Sequence, residues 1–137
     1  MKVTLDASVV VKWLLAEDEP DRERALELFA ALREGQLEVV QPLHWLLEVA
    51  AVLARAAPAS AQAALELLDA LDLPVAADAT LLRLATDLAI ELDHHLFDTL
   101  YHAVAIAHGA TLVTADRRYL AKARGHGSIV ALEAWRA

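Results

Sequence analysis

The chain has 137 residues, a formal net charge of −8, a hydrophobic fraction of 58% and no cysteine. The length suits one domain with its own core, so we expect a single domain over residues 1–137, and without cysteine both disulfides and thiolate metal sites are excluded. No apolar run approaches the roughly 18 residues of a membrane span and the first residues lack the regions of a signal peptide, so we expect a cytoplasmic protein without a membrane partner.

Predicted strands alternate with predicted helices along the chain. In chain order we predict a strand at 3–5, helices at 8–15 and 22–33, a strand at 37–40, helices at 43–56 and 60–71, a short strand at 73–75, helices at 80–92 and 97–108, a strand at 111–114, a helix at 117–124 and a last strand at 128–130. Helices follow from apolar residues at helical spacing and from Pro and Gly at their ends. This alternation favours an α/β sandwich, in which helices flank a parallel β-sheet.

Four acidic residues lie in apolar surroundings. Asp6 and Asp116 each follow a predicted strand, Glu48 is the only charge in segment 43–54, and Asp98 opens an apolar helix. Carboxylates are rarely buried without a partner, so four of them at element ends suggest one shared site that a hard cation would neutralise. Ligand crevices of open α/β sheets lie beyond the carboxyl ends of the strands, which joins the first two acids but does not place the other two.

Each acid also has an ordinary structural explanation. Asp6 and Asp116 stand where a side chain caps a following helix, with Ser8 as another possible cap. Asp98 would complement the dipole of its helix. Glu48 would pair with Arg55 or with water if its helix face is open to solvent, whereas a Glu48 facing the sheet end would need a cation or take a raised pKa.

Two further clusters carry chemistry. The spacing of His94, Asp98 and His102, together with His95, suggests zinc or manganese ligands, but His94 precedes the predicted helix, which breaks the alignment, and we do not favour a histidine site. A net charge of −8 argues against general electrostatic binding of nucleic acid. Basic residues nevertheless cluster in segment 117–124, which suits either a polyanionic substrate or a solvated helix face.

The four acids stand in segments 5–14 (LDASVVVKWL), 45–50 (WLLEVA), 97–105 (FDTLYHAVA) and 112–118 (LVTADRR). In these segments, and in their order, the chain resembles the PIN-domain ribonucleases, particularly the VapC-type toxins of prokaryotic toxin–antitoxin pairs. The resemblance covers essentially the whole chain. One departure is the run His94-His95-Leu96-Phe97 before Asp98, where small or polar residues are more usual, and we expect it to affect substrate access.

The resemblance implies a metal-dependent endoribonuclease with a PIN-like three-layer fold, in which helices cover both faces of a parallel sheet. It implies Mg²⁺ or Mn²⁺ as cofactor, RNA as substrate, a homodimer, and a small antitoxin protein that covers the active site. The implied catalytic and metal-binding acids are Asp6, Glu48, Asp98 and Asp116, with Ser8 and Thr114 as supporting polar residues. The basic residues that would contact the RNA backbone are Arg117, Arg118 and Lys122.

The same acids serve two alternative functions. A metal-dependent phosphatase would act on small phosphate substrates and leave RNA intact. A non-catalytic PIN-like interaction module would bind a structural cation or a basic peptide and cleave nothing.

Overall fold

The computed structural model describes residues 1–15 and 18–137, which form one parallel sheet and a separate strand pair. The strands are β1 (Lys2–Leu5), β2 (Glu38–Val39), β3 (Gln41–Pro42), β4 (Val75–Ala76), β5 (Thr111–Thr114) and β6 (Ile129–Ala131). The sheet has the order β2-β1-β5-β6, and β3 pairs with β4. In register, Val3 is the partner of Val39 on one side and of Thr111 on the other.

Helices flank both faces of this sheet, as the α/β prediction requires. They are α1 (Ala7–Val10), α2 (Arg22–Arg33), α3 (Trp45–Ala56), α4 (Ala61–Ala70), α5 (Ala79–Leu92), α6 (Leu96–Ala107) and α7 (Arg117–Ala123). Consecutive residues of β1 and β5 are buried, which requires cover on both faces of each strand. None of the helices that the described residues form is long and apolar enough to cross a bilayer.

The first predicted helix is the clearest difference from expectation. Instead of a helix over 8–15, α1 has four residues and continues as a 3₁₀ turn, Val11–Trp13. The run of β-branched side chains after Ser8 is a poor helix former. Ser8 is not the cap, because Asp6 occupies that position and makes no side-chain cap hydrogen bond.

Most other elements lie close to their predicted positions. The bounds of α2 and β5 are those predicted. For α5 the sequence offers Asp78 or Thr80 as the cap, and the structure has Asp78, whose carboxylate accepts from the backbone N–H of Leu81 at 2.9 Å. The predicted strand 37–40 is observed as the shorter β2, Glu38–Val39, and a separate strand, β3, follows it at Gln41–Pro42. The charged segment 17–21 also predicts a break between the first two helices, and residue 17 of it lies outside the described residues.

β1 and β5 end side by side, and this brings distant parts of the chain together. The backbone N–H of Asp6 donates to the carbonyl of Val113 at 3.1 Å, so the pairing continues one residue beyond β1. Helix α6 packs against both strands, and α3 packs against α1. The carboxyl edge of the sheet therefore lies next to the first turns of α3 and α6.

Candidate acidic site

Asp6 lies at the carboxyl end of β1 with 9% of its surface exposed. Its Oδ2 accepts hydrogen bonds from the hydroxyl of Ser8 and from Oγ1 of Thr114, the latter at 3.2 Å. Ser8 Oγ in turn accepts from the backbone N–H of Ala115 at 3.1 Å. The two predicted supporting residues thus fix one oxygen of Asp6 and link β1 to the end of β5.

Glu48 lies in the first turn of α3 and is partly buried. Its Oε1 is 3.3 Å from Nε2 of His44, one turn earlier, and the same nitrogen is 2.8 Å from the carbonyl oxygen of Phe97. Because a carbonyl only accepts, His44 carries a proton on Nε2. Arg55 is exposed and forms no ion pair with Glu48 among the described residues, so the pairing with Arg55 weighed from the sequence is not the observed one.

Asp98 lies in the first turn of α6, as predicted, and 21% of its side chain is exposed. Its Oδ2 is 2.7 Å from Nε2 of His94 and 3.6 Å from Nδ1 of His95. Both histidines belong to the connection between α5 and α6. Asp98 is therefore held by the segment in which the sequence departs from the family pattern.

The charges of these three acids act on one another. Burial raises the pKa of Asp6 to about 6, the hydrogen bond from Ser8 opposes that rise, and the negative charges of Asp98 and Glu48 add to it. Like charges raise a carboxyl pKa only at short range, so Asp6, Glu48 and Asp98 converge at one place. From the sequence, only Asp6 and Asp116 could be placed at the same edge of the sheet, because each follows a predicted strand. The structure brings Glu48 and Asp98 to Asp6 as well.

Tyr101 is a site residue that sequence reasoning missed. It is fully buried, and burial together with the neighbouring charges of Glu48, Asp6 and Asp98 raises its pKa. Its hydroxyl lies beside Glu48, yet no acceptor among the described residues meets hydrogen-bond geometry. The signal in the sequence was its spacing, because a residue three positions after Asp98 lies on the same face of a helix.

Asp116 occupies the N-cap of α7, which is the ordinary explanation weighed from the sequence. Its Oδ1 accepts from the backbone N–H of Tyr119 at 3.1 Å. Its own backbone N–H donates to Oγ1 of Thr114 at 3.0 Å, which ties it to the residue that contacts Asp6. Asp116 thus lies at the rim of the acid cluster, where the Thr114 hydroxyl links its backbone N–H to Oδ2 of Asp6.

The three predicted RNA-contacting residues differ in their surroundings. Arg117 forms an exposed ion pair with Glu133 at 2.9 Å. Lys122 donates to the carbonyl of Asp93 at 2.7 Å, and Arg118 is exposed. A cavity of about 350 Å³ is lined by Ala89, Asp93, His94, His95, Arg118 and Lys122, and it is next to Asp98 only through the two histidines, which contact that acid.

The histidine cluster is divided by the structure. Helix α6 begins at Leu96, so His94 precedes it as predicted. His102 is buried and has other partners, because its Nδ1 is 2.8 Å from the Tyr119 hydroxyl and its Nε2 is 2.8 Å from the carbonyl oxygen of Gly127. The ligand atoms of His94, His95 and Asp98 do lie within 4.8 Å of one another, but a hydrogen bond already joins His94 to Asp98.

The donor set suits a hard divalent cation. Asp6, Glu48 and Asp98 supply carboxylate oxygens, which Mg²⁺ prefers. No Lys or Arg among the described residues forms an ion pair with any of the three. The raised pKa of Asp6 and the unpaired hydroxyl of Tyr101 both indicate a cluster whose charge and hydrogen bonds are incomplete without a further group.

Comparisons with known proteins identify a family and similar folds. A family model described as PIN domain matches residues 3–125, and a comparison with curated proteins found no match. VapC20 of Mycobacterium tuberculosis, described as a toxin cleaving the sarcin–ricin loop, is 18% identical, with a TM-score of 0.69 over 87% of this chain and 94% of that chain. VapBC2 of Rickettsia felis, bound to promoter DNA, is 19% identical, with a TM-score of 0.66 over 96% and 97% of the two chains. A toxin–antitoxin complex from Klebsiella pneumoniae is 16% identical, with a TM-score of 0.68 over 95% and 97%.

Proposed function

The chain belongs to the PIN domain family, and from that premise we propose that it is a metal-dependent endoribonuclease, the VapC-type toxin of a type II toxin–antitoxin pair. The observation that carries the proposal is the cluster of Asp6, Glu48 and Asp98, in which burial and then the two neighbouring charges raise the pKa of Asp6, and in which no Lys or Arg of the described residues pairs with any of the three acids. The fold shared with a toxin described as cleaving the sarcin–ricin loop supports RNA as the substrate.

In this proposal Asp6, Glu48 and Asp98 hold Mg²⁺ or Mn²⁺, and Asp116 contributes from the rim. A divalent ion in such a site lowers the pKa of a bound water and stabilises negative charge on phosphate oxygens. The residues of the chain prepare the ligands for it. Ser8 and Thr114 occupy Oδ2 of Asp6 and leave Oδ1 for the ion, while Tyr101 has a hydroxyl proton to donate beside Glu48.

Contact with the RNA backbone belongs chiefly to Arg118 in this proposal. It is exposed and lines the cavity beside Asp98. Arg117 is already paired with Glu133, but an exposed ion pair contributes little and exchanges readily for a phosphate. Such contacts position the strand without reading its sequence.

The antitoxin and the second copy of the chain are also proposals. Exposed apolar side chains border the acids, with Leu43 60% exposed, Leu47 71% and Phe97 59%. An apolar surface around an acidic site suits a small protein partner that covers the site and blocks RNA. We place the complex in the cytoplasm, where the RNA substrate is, and expect the toxin to form a homodimer.

The test is cleavage of structured RNA by antitoxin-free protein, with Mg²⁺ or Mn²⁺ and with EDTA. Asp98→Asn should lose at least about 100-fold in rate, because metal-assisted charge stabilisation is worth several kcal/mol and each 1.36 kcal/mol is tenfold. The matched control is Asp87→Asn, an exposed acid of α5, which should cleave like wild type. Cleavage that persists in EDTA or in Asp98→Asn would overturn the proposal.

The two alternative functions give different products in the same assay. A phosphatase releases phosphate from a mononucleotide and leaves RNA intact. An interaction module binds the metal and cleaves neither substrate.

Two substitutions distinguish a metal-site role of Asp116 from a role as helix cap alone. Asn is as good an N-cap as Asp, so Asp116→Asn keeps the cap on Tyr119 and removes only the charge. If Asp116 contributes to the metal site, Asp116→Asn loses activity at unchanged stability. If Asp116 acts only as a cap, Asp116→Asn stays active and Asp116→Ala loses about 1 kcal/mol of stability.

A further inference from the structure

A chain of hydrogen bonds runs from helix α7 to the acid cluster through one histidine. Lys122 Nζ is 3.3 Å from Nδ1 of His94, and Nε2 of His94 is 2.7 Å from Oδ2 of Asp98. An ammonium can only donate, so Nδ1 of His94 is the acceptor and the ring proton is assigned to Nε2, facing Asp98. Each group in the chain therefore has a fixed direction of donation.

Both members that precede Asp98 are held in place. Lys122 also donates to the carbonyl of Asp93 at 2.7 Å, at the end of α5. The side chain of His94 is 6% exposed, and its ring packs between the rings of Tyr119, at 4.8 Å, and His95, at 4.9 Å. The His94 ring therefore has one orientation, set by packing and by Lys122.

We propose that His94 and Lys122 are positioning residues for Asp98, and that Lys122 acts through His94 rather than on the RNA backbone. The inference rests on the proposed function, since it assigns how a metal ligand of that site is oriented. The N–H of His94 donates to Oδ2 of Asp98, which fixes the carboxylate and would leave Oδ1 for the metal ion. Neither residue touches substrate or metal.

The sign of one substitution separates this role from simple electrostatics. A lysine near a cation site repels the cation, so removing its charge should tighten metal binding. If Lys122 instead fixes the His94 proton that orients Asp98, removing it should weaken metal binding. The two effects are opposite, and only the second depends on His94.

The experiment is a double-mutant cycle read by Mn²⁺ binding calorimetry on the full chain without RNA. His94→Leu should weaken Mn²⁺ binding by about 10-fold, the lower end for partners that orient metal ligands. Lys122→Met should weaken it to a smaller extent in wild type and should not weaken it in the His94→Leu background. His94→Gln, which keeps an N–H toward Asp98, should restore most of the affinity.

Controls separate failure of the inference from failure of the proposed function. His126→Gln alters another histidine–carboxylate pair, with Glu91 at 3.1 Å, and should bind Mn²⁺ like wild type. The inference is overturned if Lys122→Met leaves Mn²⁺ affinity unchanged or raises it, both in wild type and in the His94→Leu background, while the melting temperature is unchanged. The nuclease proposal would then still stand. Wild type that binds no Mn²⁺, or Asp98→Asn that binds it equally well, overturns both.

Discussion

Asp6 is the residue at which the electrostatic cost of the site is largest. Its pKa is raised from 3.8 to about 6, first by burial and then by the charges of Asp98 and Glu48. Between these two pH values the folded chain binds a proton that the unfolded chain has lost, so stability falls as pH rises through this window. The loss at neutral pH is on the order of 3 kcal/mol, at about 1.36 kcal/mol per unit.

Replacing Asp6 should therefore stabilise the metal-free protein at neutral pH. We expect Asp6→Asn in EDTA to raise the free energy of unfolding by up to about 3 kcal/mol at pH 7.5 and to leave it unchanged near pH 3.5, where the wild-type carboxyl is protonated in both states. Urea denaturation at both pH values measures this. An equal gain at both pH values, or a gain of the same size in Asp87→Asn, would contradict the assignment.

Tyr101 is a second residue whose replacement should affect stability and activity in opposite directions. A buried hydroxyl without a partner costs about 1–3 kcal/mol, so Tyr101→Phe should stabilise the apoprotein while it lowers RNA cleavage. The control is Tyr119→Phe, whose hydroxyl lies 2.8 Å from Nδ1 of His102 and whose loss should destabilise by about 1 kcal/mol. A Tyr101→Phe protein with unchanged cleavage would remove Tyr101 from the site.

At the scale of elements, the last residue of β1, Leu5, is hydrogen-bonded on one side by the side chain of Gln41 and not by a neighbouring strand. The backbone N–H of Val40 still donates to the carbonyl of Val3 at 3.0 Å, and only after Val40 does the chain leave β1, where the backbone N–H of Gln41 donates to the carbonyl of Pro74 at 2.9 Å. The side-chain amide of Gln41 fills the vacated place on β1, because Oε1 accepts from the N–H of Leu5 at 2.7 Å and Nε2 donates to its carbonyl at 2.9 Å. Gln41 thus holds the residue just before Asp6.

Gln41→Leu should consequently destabilise the fold more than an ordinary polar substitution. It leaves two backbone groups of Leu5 buried and unpaired, each costing about 1–3 kcal/mol. Gln36→Leu, at an exposed position, is the matched control and should stay within about 0.5 kcal/mol of wild type. Thermal or urea denaturation measures both, and equal effects would show that the Gln41 amide is dispensable.

The elements that the sequence predicted well are those set by local signals. Apolar spacing and a following Gly35 define α2, and a β-branched run before Asp116 defines β5. The change from β2 to a separate β3 could not be predicted, because it depends on Gln41 meeting Leu5 across 36 positions of the chain. Similarly, the four acids were found from their apolar surroundings, whereas Tyr101 was missed because its burial beside Glu48 arises only from packing.

For the molecule as a whole, a net charge of −8 must be reconciled with the proposed polyanionic substrate. The acidic site lies at the carboxyl ends of the strands, and Arg118 is exposed beside it. A cavity of about 670 Å³ is lined by Lys2 and Glu38, the first residues of β1 and β2, and so lies at the opposite edge of the sheet. Any electrostatic attraction for RNA therefore comes from a local basic surface and not from the overall charge.

This local attraction should be visible as salt dependence. Each phosphate contact with a single strand contributes about 0.7 to the slope of log affinity against log salt concentration. Arg118→Gln should therefore reduce the salt slope of KM for RNA cleavage by about 0.7, measured at constant Mg²⁺, while kcat changes little. Arg33→Gln is the control, because Arg33 ends α2 beside Leu32, which lines the cavity at the far edge of the sheet. If both variants keep the wild-type salt slope, Arg118 does not contact phosphate. If both variants reduce the slope equally, the attraction for RNA depends on the net charge of the protein and no local basic surface is needed to explain it.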